Sequence, residues 1–135
     1  MTIAFYVDGT PVPKGRPRHT KNGGTYTPKR TRDYEERIGW AWKEATSHRP
    51  FEGPVSVNIA VDEKGGHPAD LDNYVKAALD ALNGLAFADD KQVVVLFATV
   101  NRGSEREGMG IAIRECKPAR VTVARRKKPM TNAED

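Results

Sequence analysis

The sequence predicts one mixed α/β (α+β) domain, built from a small mixed β-sheet of about four strands and two main helices. The length of 135 residues suits a single domain with one hydrophobic core. Segments with strand-like apolar patterns lie before and after each of the two segments with helical periodicity. A single cysteine excludes an internal disulfide framework, so the core alone must stabilise the fold.

The N-terminal part of the chain predicts a short strand followed by a long loop. Residues 3–7 have a strand pattern that ends at the turn Asp8-Gly9-Thr10. The next segment contains four prolines and the turn signal Asn22-Gly23-Gly24, which predicts an extended loop with a small hairpin. A loop of this length in a compact domain is usually functional.

A first helix and a second strand follow this loop. Asp33 and Glu36 have the spacing of a capping box, so we expect the helix to begin near residues 31–33 and to end before Pro50. Its apolar residues recur at helical spacing at Tyr34, Ile38, Trp42 and Ala45. Residues 55–62 alternate between apolar and polar side chains, which predicts a half-buried strand.

The second half of the chain predicts another helix and two further strands. Asp70 or Asp72 is placed to cap the helix, and Gly84 is placed to end it. The buried stripe of this helix contains Leu71, Val75, Leu79 and Leu82. Residues 93–100 are nearly all apolar, so we expect a strand that is covered on both faces, with residues 110–116 as its partner.

Residues 1–117 are therefore expected to form the domain, and residues 118–135 a basic C-terminal extension with a mobile end. Residues 121–123 have the pattern of one more short strand. The longest apolar run, residues 93–98, is too short to span a membrane, and the first residues do not have the pattern of a signal peptide. We therefore expect a cytoplasmic protein that does not contact a membrane.

The net charge of +4 is unevenly distributed along the chain. The segment 14–32 contains seven basic residues and no acid, the segment 62–90 is mainly acidic, and the segment 114–128 is basic again. Basic flanks around an acidic centre suit a protein that holds a polyanion and carries out metal chemistry on it. The candidate phosphate contacts in the first basic segment are Lys14, Arg16, Arg18, Lys29 and Arg30, unless this segment is only a solvated loop.

Acidic residues with spacing suited to metal chemistry lie at the second predicted helix. Asp72, Lys76 and Asp80 are one helical turn apart and share a face. Asp70 lies just before the helix, and a short loop after it leads to the pair Asp89-Asp90. If the two acidic clusters converge, their carboxylates can hold Mg²⁺, which lowers the pKa of bound water and stabilises the charge of phosphodiester hydrolysis. Lys76 can then bind the scissile phosphate or stabilise the transition state.

Simpler roles account for the same residues. Asp70 can serve only as an N-cap, Asp72 and Lys76 only as a helix-surface pair, and Asp89-Asp90 only as a polar turn. Asp80 is even more typical of an ordinary helix surface. Spacing by itself does not decide between these roles and a metal site.

The sequence nevertheless resembles the RusA family of Holliday junction resolvases, which are crossover junction endodeoxyribonucleases. The resemblance is carried by Asp70-Leu71-Asp72-Asn73, Lys76, Asp80-Ala81-Leu82-Asn83-Gly84 and Asp89-Asp90-Lys91-Gln92-Val93, in this order and at close to the family's spacing. It extends to Pro11-Val12-Pro13-Lys14-Gly15-Arg16-Pro17-Arg18 and Tyr26-Thr27-Pro28-Lys29, which resemble the phage and prophage members. Together these motifs cover roughly residues 3–117.

The resemblance implies a Mg²⁺-dependent homodimer, with Mn²⁺ as a possible substitute, that cuts branched four-way DNA in paired strands. By position, it implies that Asp70, Asp72 and Asp90 are the catalytic metal carboxylates, with Asp89 as the alternative to Asp90, and that Lys76 is the essential lysine. The sequence departs from many relatives in having Ala69 between Pro68 and Asp70, and in having only Lys64 and His67 as basic residues before the motif. These departures concern local phosphate contacts and junction selectivity more than the metal site.

Two other functions remain open from the sequence. A protein with this scaffold can bind branched or single-stranded DNA without cutting it. Alternatively, a nuclease with the same site can act on flap, fork or linear DNA. Salt-sensitive binding without a product indicates the first function, and a comparison of DNA substrates identifies the second.

Overall fold

The computed structural model describes residues 1–47 and 49–117, in which one four-stranded sheet carries two helices on the same face. The elements are β1 (Thr2–Asp8), β2 (Arg18–His19), β3 (Thr25–Tyr26), α1 (Lys29–Ala45), β4 (Val55–Glu63), α2 (Leu71–Leu82), β5 (Val93–Arg102) and β6 (Gly108–Glu115). A single 3₁₀ turn, Asp90–Gln92, precedes β5. The predicted fold class is confirmed. The expected extension 118–135, including the predicted strand 121–123, lies outside the described residues.

The sheet has the order β1-β6-β4-β5, in which β4 and β5 are parallel and the other neighbours are antiparallel. The prediction that residues 110–116 pair with residues 93–100 is therefore wrong, because β6 lies between β1 and β4. A local β5-β6 hairpin would leave β4 with one paired edge. The observed order gives a hydrogen-bonded neighbour on both sides to β4 and β6, the strands with the most deeply buried side chains.

The hydrophobic core lies between the sheet and the two helices. Alternate residues of β4 point into it, at Val55, Val57, Ile59 and Val61. Trp42 of α1 packs edge to face against Phe5 of β1, with ring centroids 6.0 Å apart. Trp42, one of the apolar residues at helical spacing in the predicted first helix, belongs to the core, whereas the neighbouring Trp40 is 57% exposed.

The first helix starts earlier than the capping-box pattern predicts. Pro28 precedes α1 with φ −54°, a value that suits helix entry, and no side chain caps the first turn. Asp33 and Glu36 are therefore already inside the helix, and the predicted capping box is wrong. The helix ends at Ala45, before Pro50.

The second helix begins and ends where the sequence predicts. Asp70 occupies the N-cap position, and Gly84 follows the helix with φ +85°, a left-handed conformation that favours glycine. The buried face consists of Tyr74, Val75, Ala77, Ala78 and Leu82. The predicted hairpin in the proline-rich loop is also present, as β2 and β3.

The strand β5 is not covered on both faces, contrary to the prediction. It lies at the edge of the sheet and has β4 as its one neighbour among the described residues. Four consecutive side chains are exposed, namely Val94 (45%), Val95 (36%), Leu96 (46%) and Phe97 (64%). An apolar run without alternation is typical of a strand with two buried faces, so here the pattern indicates a surface that the described part of one chain does not cover.

Within residues 1–47 and 49–117, no helix is long and apolar enough to cross a membrane.

Candidate active site

The two acidic clusters lie at opposite ends of β5. Asp70 follows the loop that leaves the end of β4, where Glu63 pairs with Arg102, whereas Asp89 and Asp90 precede Val93 at the start of β5. A strand of ten residues spans about 30 Å. The prediction that the clusters converge within one chain is therefore wrong. Because β4 and β5 are parallel, α2 is a crossover that returns the chain to the other end of the sheet.

Asp70 and Asp72 are both exposed at the start of α2. Although Asp70 occupies the N-cap position, its side chain makes no capping hydrogen bond. Among the described residues, no side-chain hydrogen bond or ion pair involves either carboxylate. The start of a helix is a favourable position for negative charge because of the helix dipole, and both side chains remain accessible to a ligand.

Lys76 is exposed one turn after Asp72, and the described residues contain no ion pair between the two. The simple interpretation of Asp72 and Lys76 as a helix-surface pair is therefore not observed. The ammonium group of Lys76 is accessible on the helix face that begins with Asp72, where it can approach a phosphate.

Lys14 anchors the loop between β1 and α1, residues 9–28, to both helices, and this loop is called the basic loop below. Its Nζ atom lies 2.7 Å from Glu35 of α1 and 2.9 Å from Asp80 of α2, and its backbone N–H donates to the carbonyl of Asn73 at 2.9 Å. Burial lowers the pKa of Lys14, but the two carboxylates outweigh burial, so its pKa is raised. Asp80 is thus more than ordinary helix surface. The DNA contact of Lys14 stays a prediction. Its charge is already balanced by the two carboxylates.

The other predicted phosphate contacts are exposed. Arg16, Arg18 and Arg30 line one groove of the basic loop, and Lys29 forms an exposed ion pair with Asp33 at 2.7 Å. Arg30 also lines a cleft of about 400 Å³ that the segment 63–69 lines as well. The basic loop therefore borders the segment that leads into Asp70, and its guanidinium groups are suited to phosphate oxygens.

A buried carboxylate that the sequence analysis did not single out holds this segment in place. Glu63 is 6% exposed and accepts hydrogen bonds from the Tyr74 hydroxyl, from the N–H of Ala69 at 3.1 Å and from Nη1 of Arg102 at 2.7 Å. Nη2 of Arg102 donates to the carbonyl oxygen of Ala69 at 2.9 Å. Both backbone polar groups of Ala69 are therefore fixed, and so is the position of the next residue, Asp70.

The electrostatics of Glu63 agree with this role. Burial raises the pKa of Glu63, but the three donors outweigh burial and hold the pKa below its ordinary value. The sequence did contain a sign that Glu63 is buried. Residues at odd positions of β4 point into the core, and Glu63 has the same parity as Val61, so an acid at this position requires buried donors.

The loop before β5 is also rigidly held. Asp89 accepts a hydrogen bond from the N–H of Lys91 at 2.8 Å, which lowers the pKa of Asp89. Gln92 closes the capping box and donates to the carbonyl oxygens of Phe51 at 2.6 Å and Gly53 at 3.0 Å. Asp90 is exposed and has no part in the capping box, which favours Asp90 over Asp89 as the carboxylate that binds a ligand.

The positions of Asp70, Asp72 and Asp90 fit a shared site for a divalent cation only in part. Mg²⁺ is commonly held by one or two carboxylates together with substrate phosphate, a description that Asp70 and Asp72 meet. Asp90 does not join them within one chain, and the described residues contain no group of three or more potential ligands that could hold a metal ion. The set of three carboxylates that the family resemblance implies is thus incomplete within the described part of a single chain.

Comparison with known proteins gives three findings. The family model described as endodeoxyribonuclease RusA matches residues 8–114, a range that contains the basic loop and both acidic clusters. The uncharacterized protein YqaN of Bacillus subtilis is 35% identical, with 70% of this chain and 83% of that protein covered. The crossover junction endodeoxyribonuclease RusA of Aquifex aeolicus is 26% identical, with 83% of this chain and 90% of that protein covered.

Proposed function

Because the chain belongs to the RusA family and is an endodeoxyribonuclease, we propose that it resolves Holliday junctions by paired phosphodiester cleavage during DNA recombination and repair. The observation that carries this proposal is the exposed group Asp70, Asp72 and Lys76 at the start of α2, beside a basic loop. We assign the catalytic role to Asp70, Asp72, Lys76 and Asp90.

We assign Mg²⁺ as the cofactor, with Mn²⁺ as a possible substitute. Asp70 and Asp72 supply the hard oxygen ligands that this ion prefers, and their exposure leaves room for water and a DNA phosphate. When bound, such an ion activates water and stabilises the charge of the phosphoryl transition state. Lys76 adds a positive charge one helical turn away, where it can hold the scissile phosphate.

Arg16, Arg18, Lys29 and Arg30 supply the DNA contacts in this proposal. All four are exposed and belong to the basic loop or to the first turn of α1. Contacts of this kind provide affinity for the phosphate backbone without reading sequence. Arg30 and the segment 63–69, which directly precedes Asp70, line the same cleft.

A homodimer completes the proposal. A four-way junction presents two symmetry-related strands, and a two-fold dimer presents two equivalent sites to them. The exposed apolar run Val94–Phe97 supports an interface, because exposed edge strands of this composition are unusual in monomers.

The test is a gel assay of the purified protein on labelled four-way, flap and linear duplex DNA, with Mg²⁺ or with EDTA. We expect paired symmetric nicks in the four-way junction that require Mg²⁺ and disappear in Asp72→Asn, while junction binding is retained. Glu44→Gln, which changes an exposed acid elsewhere on α1, is the matched control and should cut normally. Junction binding without nicks under every metal condition would support a binding protein, and preferential cutting of flap or linear DNA would identify a different nuclease.

A further inference from the structure

The cleft of about 400 Å³ that Arg30 and the segment 63–69 line has no role in the chemistry assigned above. The basic loop supplies part of its lining, at Thr10, Pro11 and Pro13. Binding pockets for small molecules begin at about 300 Å³, so this cleft has room for one ring system with its substituents and not for a stretch of duplex.

The buried side chains of the cleft have their polar atoms paired. Glu63 accepts hydrogen bonds from Tyr74 and from the N–H of Ala69, and the carbonyl oxygen of Ala69 accepts a further bond. The other deep parts of the lining are the rings of Pro11 and Pro13. A phosphate placed at this depth would lose water without gaining a donor from these side chains. The depth of the cleft therefore suits a flat, uncharged ring.

The exposed rim of the cleft has the opposite character. Arg30 and Lys64 are exposed there, and neither forms an ion pair within the described residues. In the same part of the chain, no hydrogen bond engages the backbone N–H groups of Gly65, Gly66 and His67. Cationic side chains and free amide groups are typical partners of phosphate oxygens. The rim therefore suits an anion.

One more lining group is suited to the edge of a ring. The side chain of Glu107 is half-buried, and its carboxylate accepts a hydrogen bond from the hydroxyl of Thr10. A carboxylate has several acceptor sites, so Glu107 can also accept hydrogen bonds from ring N–H or amino groups. A flat ring that has such groups at its edge and is linked to a phosphate is a nucleotide.

The place of the cleft indicates which nucleotide it binds. The segment 63–69 runs directly into Asp70, so a phosphate at the rim is close to the phosphate that Asp70 and Asp72 are proposed to cut. The nucleotide therefore belongs to the cut strand and adjoins the cleavage site. In an intact duplex its base is stacked and paired, so the base enters the cleft only after leaving the helix, at a cost that is least where pairing is already disturbed.

We propose that the cleft takes up one unstacked nucleotide of the cut strand, with its base between the prolines and Glu107 and its phosphate at Arg30 and Lys64. This inference rests on the proposed function, since it places the nucleotide beside the cleavage site. It also supplies a physical reason for acting on branched DNA, because base pairs at a crossover open more readily than pairs within a duplex.

Fluorescence of 2-aminopurine, an adenine analogue that brightens when it leaves the base stack, tests this inference in EDTA, where no cutting occurs. Four-way junctions carry the analogue at one position at a time on the cut strands. With the wild type, we expect a several-fold rise at one position per cut strand, next to the phosphate that is cut when Mg²⁺ is added. Thr10→Met and Ala69→Met lengthen two lining side chains without adding an aromatic ring, and each should abolish most of the rise.

Thr2→Met is the matched control, because Thr2 is exposed at the other end of β1 and outside the cleft, and it should keep the full rise. Fluorescence anisotropy of the same complexes shows that the junction is bound. A bound junction without a rise at any position overturns the inference. A rise that folded Thr10→Met and Ala69→Met both retain also overturns it, since the base then leaves the stack elsewhere. The wild-type result stands even if one of these variants does not fold.

Mismatched junctions give a second measurement. A mismatch at the responding position lowers the cost of unstacking, so the wild type should bind that junction several-fold more tightly than the fully paired one. Thr10→Met should bind the two junctions alike, whereas Thr2→Met should discriminate as the wild type does. Equal discrimination by Thr10→Met and the wild type would contradict the proposed cleft.

The two proposals fail in different ways. A protein that shows the cleft-dependent rise in EDTA but cuts no junction with Mg²⁺ would refute the proposed function and leave the nucleotide site intact. A protein that cuts junctions without any rise would refute the nucleotide site and leave the proposed function intact.

Discussion

The carboxylate of Glu63 accepts a hydrogen bond from the hydroxyl of Tyr74, which joins the last residue of β4 to the first half of α2. The same carboxylate accepts a hydrogen bond from the N–H of Ala69, so it also holds the end of the loop between β4 and α2. The side chains of Asp70 and Asp72 are exposed, and within the described part of the chain their carboxylates form no hydrogen bond or ion pair. Their position therefore depends on this buried acid.

Replacing Glu63 by Gln should weaken both stability and cleavage. The amide cannot satisfy Tyr74, Ala69 and Arg102 together, and a cost of about 2 kcal/mol in unfolding free energy follows from the loss of buried charged hydrogen bonds. Urea denaturation measures this change, and the junction assay measures the loss of cleavage. Tyr74→Phe removes one of the three donors and should cost about 1 kcal/mol. Unchanged stability in Glu63→Gln would contradict the assigned network.

The stability contribution of Glu63 should also depend on pH. Its pKa in the folded chain lies below the ordinary value of 4.5, so its contribution is fully present above pH 4.5. As the pH falls below 4.5 and through the lower folded pKa, protonation removes this contribution. The difference in unfolding free energy between wild type and Glu63→Gln should therefore be constant at neutral pH and shrink in acid. A difference that grows in acid would have the wrong sign for this assignment.

The sequence predicted local features well because they depend on neighbours along the chain. Helix α2, its N-cap at Asp70 and its end at Gly84 follow from periodicity and backbone preference. The order of strands does not, because the place of β6 between β1 and β4 depends on pairing across the whole chain. For the same reason, the pair Asp70 and Asp72 and the pair Asp89 and Asp90 are close in sequence but lie near opposite ends of β5.

The candidate site shows the same difference between local features and long-range contacts. The exposed positions of Asp70, Asp72 and Lys76 agree with what their spacing predicts. The partners of Glu63 were not predictable from spacing, because Arg102 comes from a distant strand. Likewise, an apolar run such as Val94–Phe97 shows that a surface needs cover, but not whether the same chain provides it.

Lys14 should contribute more to stability than an exposed lysine in a similar ion pair. Its side chain is 16% exposed and bridges Glu35 and Asp80, so Lys14→Met leaves two acids close together without their cation. We expect a loss of about 1 to 3 kcal/mol, below the range for fully buried pairs because the acids retain some solvent. Lys29→Met breaks an exposed pair with Asp33 and should cost less than about 0.5 kcal/mol. Equal effects in urea denaturation would argue against Lys14 as the clamp of the basic loop.

Arg16 and Arg18 should contribute to DNA affinity through charge alone. If each contacts one phosphate, Arg16→Ala and Arg18→Ala should each weaken junction binding by a similar factor for every sequence tested. Each should also reduce the slope of log affinity against log salt by about 1, because one fewer counterion is released. Fluorescence anisotropy with a labelled junction in EDTA measures binding separately from cleavage, and Lys43→Ala on the exposed face of α1 is the control. A weaker affinity with an unchanged salt slope would mean that the arginines shape the loop rather than contact phosphate, and an effect equal to that of Lys43→Ala would remove the basic loop from the proposed DNA path.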